Sequence, residues 1–280
     1  MGGLCILFAT LLSVTVTIMG LTLGQSEFLQ TDWTQQVRLA AITALLFAVI
    51  GAGDDITRIR RNQPAGLSEF IKFLLQSLAV GVVLVLYSVS GYLNTATVLP
   101  VVGYYDLGNA YYLVAYVFAL FFVRCVEKTD GVDGLCTSCA FISVLGLLVL
   151  SVYFGSFEAS IFPAALAGAL LAFLFWNFHP AKISMGSTGS LFLAGAMFGI
   201  AQGLNWPGIL WVLGLPYFIE GIFSLIQFIC YLCTGKRIFS AAPLHVLLAK
   251  KGWSEFGLIY LFSGISVMGV VFTLLFIRLG

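Results

Sequence analysis

The chain alternates long apolar runs with short polar stretches. Nine runs approach the length of a bilayer-spanning helix: 3–23, 39–53, 67–89, 109–125, 136–153, 159–177, 188–204, 208–232 and 256–278. A span needs about 20 mostly apolar residues. The second run is short, which places its polar flanks in the headgroup region. The first run has no basic residue before it, since Lys or Arg first occurs at Arg38, so it reads as a retained span rather than a cleaved signal. No ten-residue alternating segments occur, which argues against a β-barrel. The pattern predicts an all-α, polytopic membrane protein of about nine helices. It shows no repeat and no soluble insert, so residues 1–280 form a single integral membrane domain.

Composition sharpens this reading. Of 280 residues, 60% are hydrophobic and only 9% charged, against about 25% charged in soluble domains. That excludes a soluble enzyme, and the net charge of +1 leaves no basic field for nucleic acid. The basic residues are unevenly placed. Arg58, Arg60, Arg61, Lys72, Arg124, Lys128, Lys182, Lys236, Arg237, Lys250 and Lys251 fall on or beside alternate loops, leaving only Arg38 and Arg278 of the 13 for the other face. Positive charge stays cytoplasmic. Met1 and the loops near 54–66, 126–135, 178–187 and 233–255 are therefore expected inside, and Gly280 outside. Tyr104, Tyr105, Tyr111 and Tyr112 read as an outer aromatic belt. Cys136 and Cys139 form a C-x-x-C with no further ligands at metal spacing, and read as small residues facing a neighbouring helix.

The polar residues of the inner face carry the chemistry. Asp54 and Asp55 close the second run in GAGDD. Asp130 and Asp133 lie in TDGVDGL. Asn177, His179, Lys182 and Ser187 lie in NFHPAKISMGSTGS, and His245 lies in TGKRIFSAAPLH. Acids at several helix ends on one face imply one shared site. Buried like charges need a compensating cation. Mg²⁺ suits carboxylate and phosphate oxygens. Glycines beside the acids let backbone N–H groups approach a phosphate.

This series resembles the polyprenyl-phosphate N-acetylhexosamine-1-phosphate transferase superfamily, and within it the bacterial phospho-N-acetylmuramoyl-pentapeptide transferases. Asp54-Asp55 matches the family's aspartate pair, and Gly66-Leu67 with Lys72-Phe73 the segment after it. Thr129 to Leu135 matches TDGLDGL, and Asn177 to Gly186 matches NxxPAxxFMG. Glu220, Ser224 and Gln227 fit the VEALSVILQ helix. Thr234 to Phe239 is TGKRIF, and Pro243, His245, Lys251, Gly252 and Trp253 follow APIHHHFELKGW.

The resemblance implies transfer of phospho-MurNAc-pentapeptide from UDP-MurNAc-pentapeptide to undecaprenyl phosphate, with Mg²⁺, at the cytoplasmic face of a bacterial inner membrane. It implies that Asp54, Asp55 and His245 are catalytic. Lys72, Asp130, Asp133 and Asn177 would bind substrate, and Asp54, Asp55, Asp130 and Asp133 would serve the metal. A homodimer with a second copy is compatible with this reading.

Departures from the pattern are concentrated in the same motifs. Ser187 stands where the family's MGD has its metal-binding Asp. Glu127 stands where NxTDGLDGL has Asn. Val246 and Leu247 replace two of three histidines, and Arg58 replaces a lysine. Met1-Gly2-Gly3 aligns with the end of PTMGG, so the family's first helix and first loop have no counterpart in the sequence. The expected enzyme is impaired. The alternative is an inactive paralogue that binds nucleotide-sugar or polyprenyl phosphate, or partners an active copy.

Overall fold

In the computed structural model, which describes residues 2–24, 33–62, 66–99, 103–154 and 157–279, the chain is built almost wholly of helices. They are α1 (Gly3–Gly24), α2 (Trp33–Arg61), α3 (Glu69–Val89), α4 (Ala110–Thr129), α5 (Leu135–Phe154), α6 (Ile161–Asn177), α7 (Gly186–Gly203), α8 (Leu210–Leu213), α9 (Leu215–Thr234), α10 (Leu244–Lys250) and α11 (Glu255–Leu279). A single antiparallel hairpin, β1 (Ala96–Leu99) and β2 (Gly103–Asp106), pairs Ala96 with Asp106 between α3 and α4. The all-α, polytopic membrane architecture holds.

Among the described residues, seven helices are long and apolar enough to cross a membrane: α1, α2, α3, α4, α5, α9 and α11. The count of nine rests on two further helices. α6 is apolar but has only 17 residues. α7 has 18, diluted by Ser187, Thr188, Ser190 and Gln202.

Two boundaries differ from the sequence reading. Asp54 and Asp55 do not end the second span, because α2 continues through them to Arg61. Both acids find partners on neighbouring elements, so they carry no unpaired charge that would break the helix. The run 208–232 is not one helix either. It is a 3₁₀ turn (Pro207–Ile209), then α8, then α9 from Leu215. Pro216, in the first turn of α9, has no N–H to continue a helix from upstream. Met1 and Gly280, used as topological end points, lie outside the described residues, as do the side chains of Tyr104 and Tyr105.

α7 is the central helix. Every residue from Ser187 to Gly203 is buried. Its most extensive partner is α2, and small residues let the two backbones touch. A Cβ on Gly51 would lie 2.3 Å from the Ser187 carbonyl oxygen, and one on Gly195 would lie 2.9 Å from the Thr43 carbonyl oxygen. Lipid tails are as apolar as these side chains, so association in a bilayer depends on such close packing. Several polar groups in the core are satisfied by carbonyls of neighbouring helices. The Tyr87 hydroxyl donates to the Gly199 carbonyl at 2.8 Å, and Ser143 to the Leu213 carbonyl at 2.6 Å. The α2–α7 contact carries Asp54 and Asp55 to the N-terminus of α7.

Candidate functional site

The site begins with the last turns of α2 against the start of α7. Gly186 has φ +75°, a conformation that glycine adopts without penalty, and a Cβ there would meet Asp55 Oδ2 at 2.9 Å. The turn aims the first amides of α7 at Asp55. The Ser187 N–H donates to Asp55 Oδ1 at 3.1 Å. The Thr188 N–H and hydroxyl donate to Oδ2 at 2.9 and 2.6 Å. Asp55 thus sits where a helix N-terminus concentrates unpaired N–H groups and positive potential.

Asp54, fully buried, is held differently. The Leu67 N–H donates to Oδ1 at 2.8 Å. Oδ2 accepts from the Ser187 hydroxyl at 2.6 Å and lies 3.1 Å from Lys72 Nζ and 3.5 Å from Arg58 Nη2. Lys72, almost buried on α3, also donates to Glu127 Oε1 at 2.8 Å. Gln76 donates to Glu127 Oε2 at 3.0 Å, and Arg124 bridges Glu127 and Glu69 at 3.4 and 3.1 Å. The result is an alternating chain of charge: Glu69, Arg124, Glu127, Lys72, Asp54, Arg58. It ties α2, α3 and α4 together and is electrically balanced. A groove of about 400 Å³ opens beside it, lined by Arg58, Arg61, Lys72, Glu69 and the Gly66–Ser68 turn.

The TDGVDGL loop follows α4. Asp130 lies at the end of that helix and accepts from the Gly186 N–H. Burial first, then the neighbouring Asp55 carboxylate, push its acid up to about 7. His245 is buried beside Gly131, where a Cβ would come within 2.5 Å of its Nε2. Buried Glu220 of α9 accepts from the His245 N–H at 3.0 Å and lies 3.2 Å from its Nδ1. Asn177 closes α6, accepting from Thr137 at 2.5 Å and donating to the Ile183 carbonyl at 3.0 Å. Asp133 turns aside. Its Oδ2 accepts from the Ala181 N–H at 3.0 Å and lies 3.6 Å from His179 Nδ1.

Asp54, Asp55, Lys72 and Ser187 therefore share direct contacts, with Asp130 joined through Gly186. His245 reaches the cluster through Gly131, while Asn177 and Asp133 brace the adjoining loops. Sequence reasoning missed Thr188, which gives Asp55 two donors, and Gln76. It also placed Glu127 with the Asp130 loop, to which it is adjacent in sequence, whereas Glu127 is taken by Lys72 and Gln76. The four-residue spacing of Lys72 and Gln76, which puts both on one face of α3, was the available signal.

A membrane helix bundle with an acid-and-base cluster at the ends of its helices defines the class: an integral membrane protein with a polar, charge-paired site among its helices. The profile of Glycosyl transferase family 4 matches residues 37–204, and the chain belongs to that family. It is similar to proteins named phospho-N-acetylmuramoyl-pentapeptide-transferase. With that of Clostridium perfringens (strain SM101) it shares 34% identity over 95% of this chain and 79% of the relative. With that of Caldicellulosiruptor bescii the figures are 35%, 85% and 74%. With that of Clostridium botulinum (strain Eklund 17B) they are 35%, 96% and 79%.

Proposed function

We propose that this chain is a phospho-sugar transferase of the peptidoglycan lipid-intermediate type with a strongly reduced rate. Its substrates are UDP-MurNAc-pentapeptide and undecaprenyl phosphate, met at the cytoplasmic face of a bacterial inner membrane. A lipid phosphate oxygen attacks the phosphorus next to the sugar, that P–O bond forms, and the bond to UMP breaks. Phosphoryl transfer depends on positioning and on neutralising charge over the phosphate oxygens. Arg58 and Arg61 line the groove and supply positive charge toward the two phosphate-bearing substrates.

One observation carries the reduced rate. The Ser187 hydroxyl is spent as a donor to Asp54 at 2.6 Å, and Lys72 stands as the resident cation between Asp54 and Glu127. Mg²⁺ demands near-octahedral oxygen ligands at ~2.0–2.1 Å. Both Oδ2 atoms of the pair already accept two or more protein donors, and Ser187 adds no charge. These residues fit that ion poorly at Asp54 and Asp55.

The test is release of UMP from UDP-MurNAc-pentapeptide with undecaprenyl phosphate and Mg²⁺, run beside direct binding of the nucleotide-sugar. Binding with release far below the ordinary ~1–1000 per second supports the reading. Release within that range refutes the impairment. Binding without any release assigns the chain to the non-catalytic alternative, which the balanced ion-pair chain also favours. Absence of both binding and release refutes the substrate assignment.

A further inference from the structure

Three side chains from three separate elements meet away from the Asp54–Lys72 cluster. Asp133 belongs to the loop after α4, His179 to the loop after α6, and Glu255 is the first residue of α11. One ligand atom from each lies within 4.8 Å of the others. His179 Nδ1 is 2.8 Å from Glu255 Oε2 and 3.6 Å from Asp133 Oδ2. We propose that Asp133, His179 and Glu255 form a binding site for a zinc-type divalent cation, distinct from the acid cluster at the end of α2.

Three observations support this. The first is distance. Tetrahedral zinc with bonds of ~2.0–2.1 Å to imidazole nitrogen and carboxylate oxygen sets neighbouring ligand atoms ~3.3 Å apart. The two nitrogen–oxygen separations fall on either side of that value. The second is direction. His179 Nδ1 is shut off from solvent yet makes no hydrogen bond, even with a carboxylate oxygen at 2.8 Å. The oxygen lies off the line of the ring N–H, so the contact is poor as a charge-assisted hydrogen bond. A neutral ring would keep its Nδ1 lone pair available as a ligand.

The third is support around the ligands. Asp133 Oδ2 is anchored by the Ala181 N–H, and the His179 ring stands edge-on to Phe256, with centroids 5.2 Å apart at 90°. Ligands of metal sites are oriented by such outer contacts. The imidazole selects against Mg²⁺, which prefers oxygen, and for zinc or a neighbouring transition ion. All three side chains are partly exposed, which leaves an entry path and a fourth position for water. A bound ion would tie the Asp130–Asp133 loop to the start of α11.

The test is metal titration of the purified full chain in detergent, with Zn²⁺ content measured after desalting and Co²⁺ used as a visible-absorption probe. The chain has a competing thiol pair, Cys230 and Cys233, at the end of α9. The expected result is one Zn²⁺ per chain, undisplaced by excess Mg²⁺. Affinity falls at least tenfold in His179→Ala and in Glu255→Gln, and is unchanged in the Cys230→Ser/Cys233→Ser variant. The near-isosteric Glu255→Gln decides the matter if His179→Ala fails to fold. Substoichiometric Zn²⁺, or binding that follows the cysteines and ignores His179 and Glu255, overturns the proposal and leaves an ion pair only.

Discussion

Ser187→Asp is the substitution that tests how the charge in this site is balanced. Ser187 is almost buried and its hydroxyl donates to Asp54, which is itself fully buried beside Asp55. The new carboxylate would replace a donor with a third negative group. At ~4 Å and an effective dielectric of ~20, each like-charge pair costs about 4 kcal/mol. Lys72 is already shared by Asp54 and Glu127 and offers little relief. Protonation sets a ceiling, because holding an ordinary carboxyl neutral at pH 7 costs about 4 kcal/mol, roughly three units at 1.36 kcal/mol each. The variant should therefore lose about 4 kcal/mol in EDTA at neutral pH, a fall in Tm of roughly 10 °C. Most of that loss should vanish near pH 4. Millimolar Mg²⁺ should raise the Tm of Ser187→Asp and leave the wild type unmoved. Glu127→Asn added to Ser187→Asp returns the number of acids to the wild-type count and frees Lys72, so the pair should recover most of the loss. Thermal unfolding in detergent, with and without Mg²⁺, reads all of this. A wild type stabilised by Mg²⁺ as much as the variant would refute the reasoning, because Asp54 and Asp55 would then hold the ion without a third acid.

Four further outcomes are expected. Asp130 titrates near 7 in the fold against an ordinary 3.8, so its contribution to stability is complete below about pH 4 and is lost as pH rises through 7. Asp130→Asn should flatten the fall in Tm between pH 5 and pH 8. Lys72→Met leaves Asp54 and Glu127 without their shared cation and should cost ~3–5 kcal/mol, partly regained by adding Glu127→Gln, as read by chemical denaturation of the single and double variants. Gly51→Ala would drive a methyl into the Ser187 carbonyl and should cost about 1–3 kcal/mol by separating α2 from α7, measured by Tm. The 11-to-2 asymmetry of basic residues places a reporter fused after Gly280 in the periplasm, and a cytoplasmic signal there would contradict that topology.

The membrane helices were legible because apolar runs of this length have no other use. The runs 3–23, 67–89, 136–153 and 256–278 coincide with α1, α3, α5 and α11 to within a few residues. The end of α2 was not legible. Asp54, Asp55, Arg58, Arg60 and Arg61 look like a loop by composition, and the donors of α7 and α3 account for the two acids within the helix. The break at Gly214 was marked by Pro216, but hydropathy summed over 208–232 hides a proline. Within the site, the Asp54–Asp55 pair, Lys72 and Ser187 were found from their motifs. The pairing of Lys72 with Glu127 was not, since it joins residues 55 positions apart through the rotation of α3 against α4. Sequence spacing within one helix gives a face, and says nothing of which foreign side chain meets it.

The two departures nearest the aspartates, at positions 127 and 187, make physical sense together. Against the motifs the chain resembles, position 187 gives up a carboxylate and position 127 gains one, so the formal charge of the cluster is conserved while its location shifts. At the N-terminus of α7 the amides are already engaged by Asp55, and the serine there adds a neutral donor to Asp54. At the end of α4 the added Glu127 meets Lys72, Gln76 and Arg124 at once. An ammonium fixed in that way supplies a single charge on a tethered stem, and two carboxylates already use it. A divalent ion would supply twice the charge and remain free to exchange its waters for phosphate oxygens. Balancing the site with Lys72 makes the apo fold self-sufficient and leaves less uncompensated negative charge to attract a metal. A change at either position alone upsets that balance, whereas moving the acid from 127 to 187 as one step conserves it.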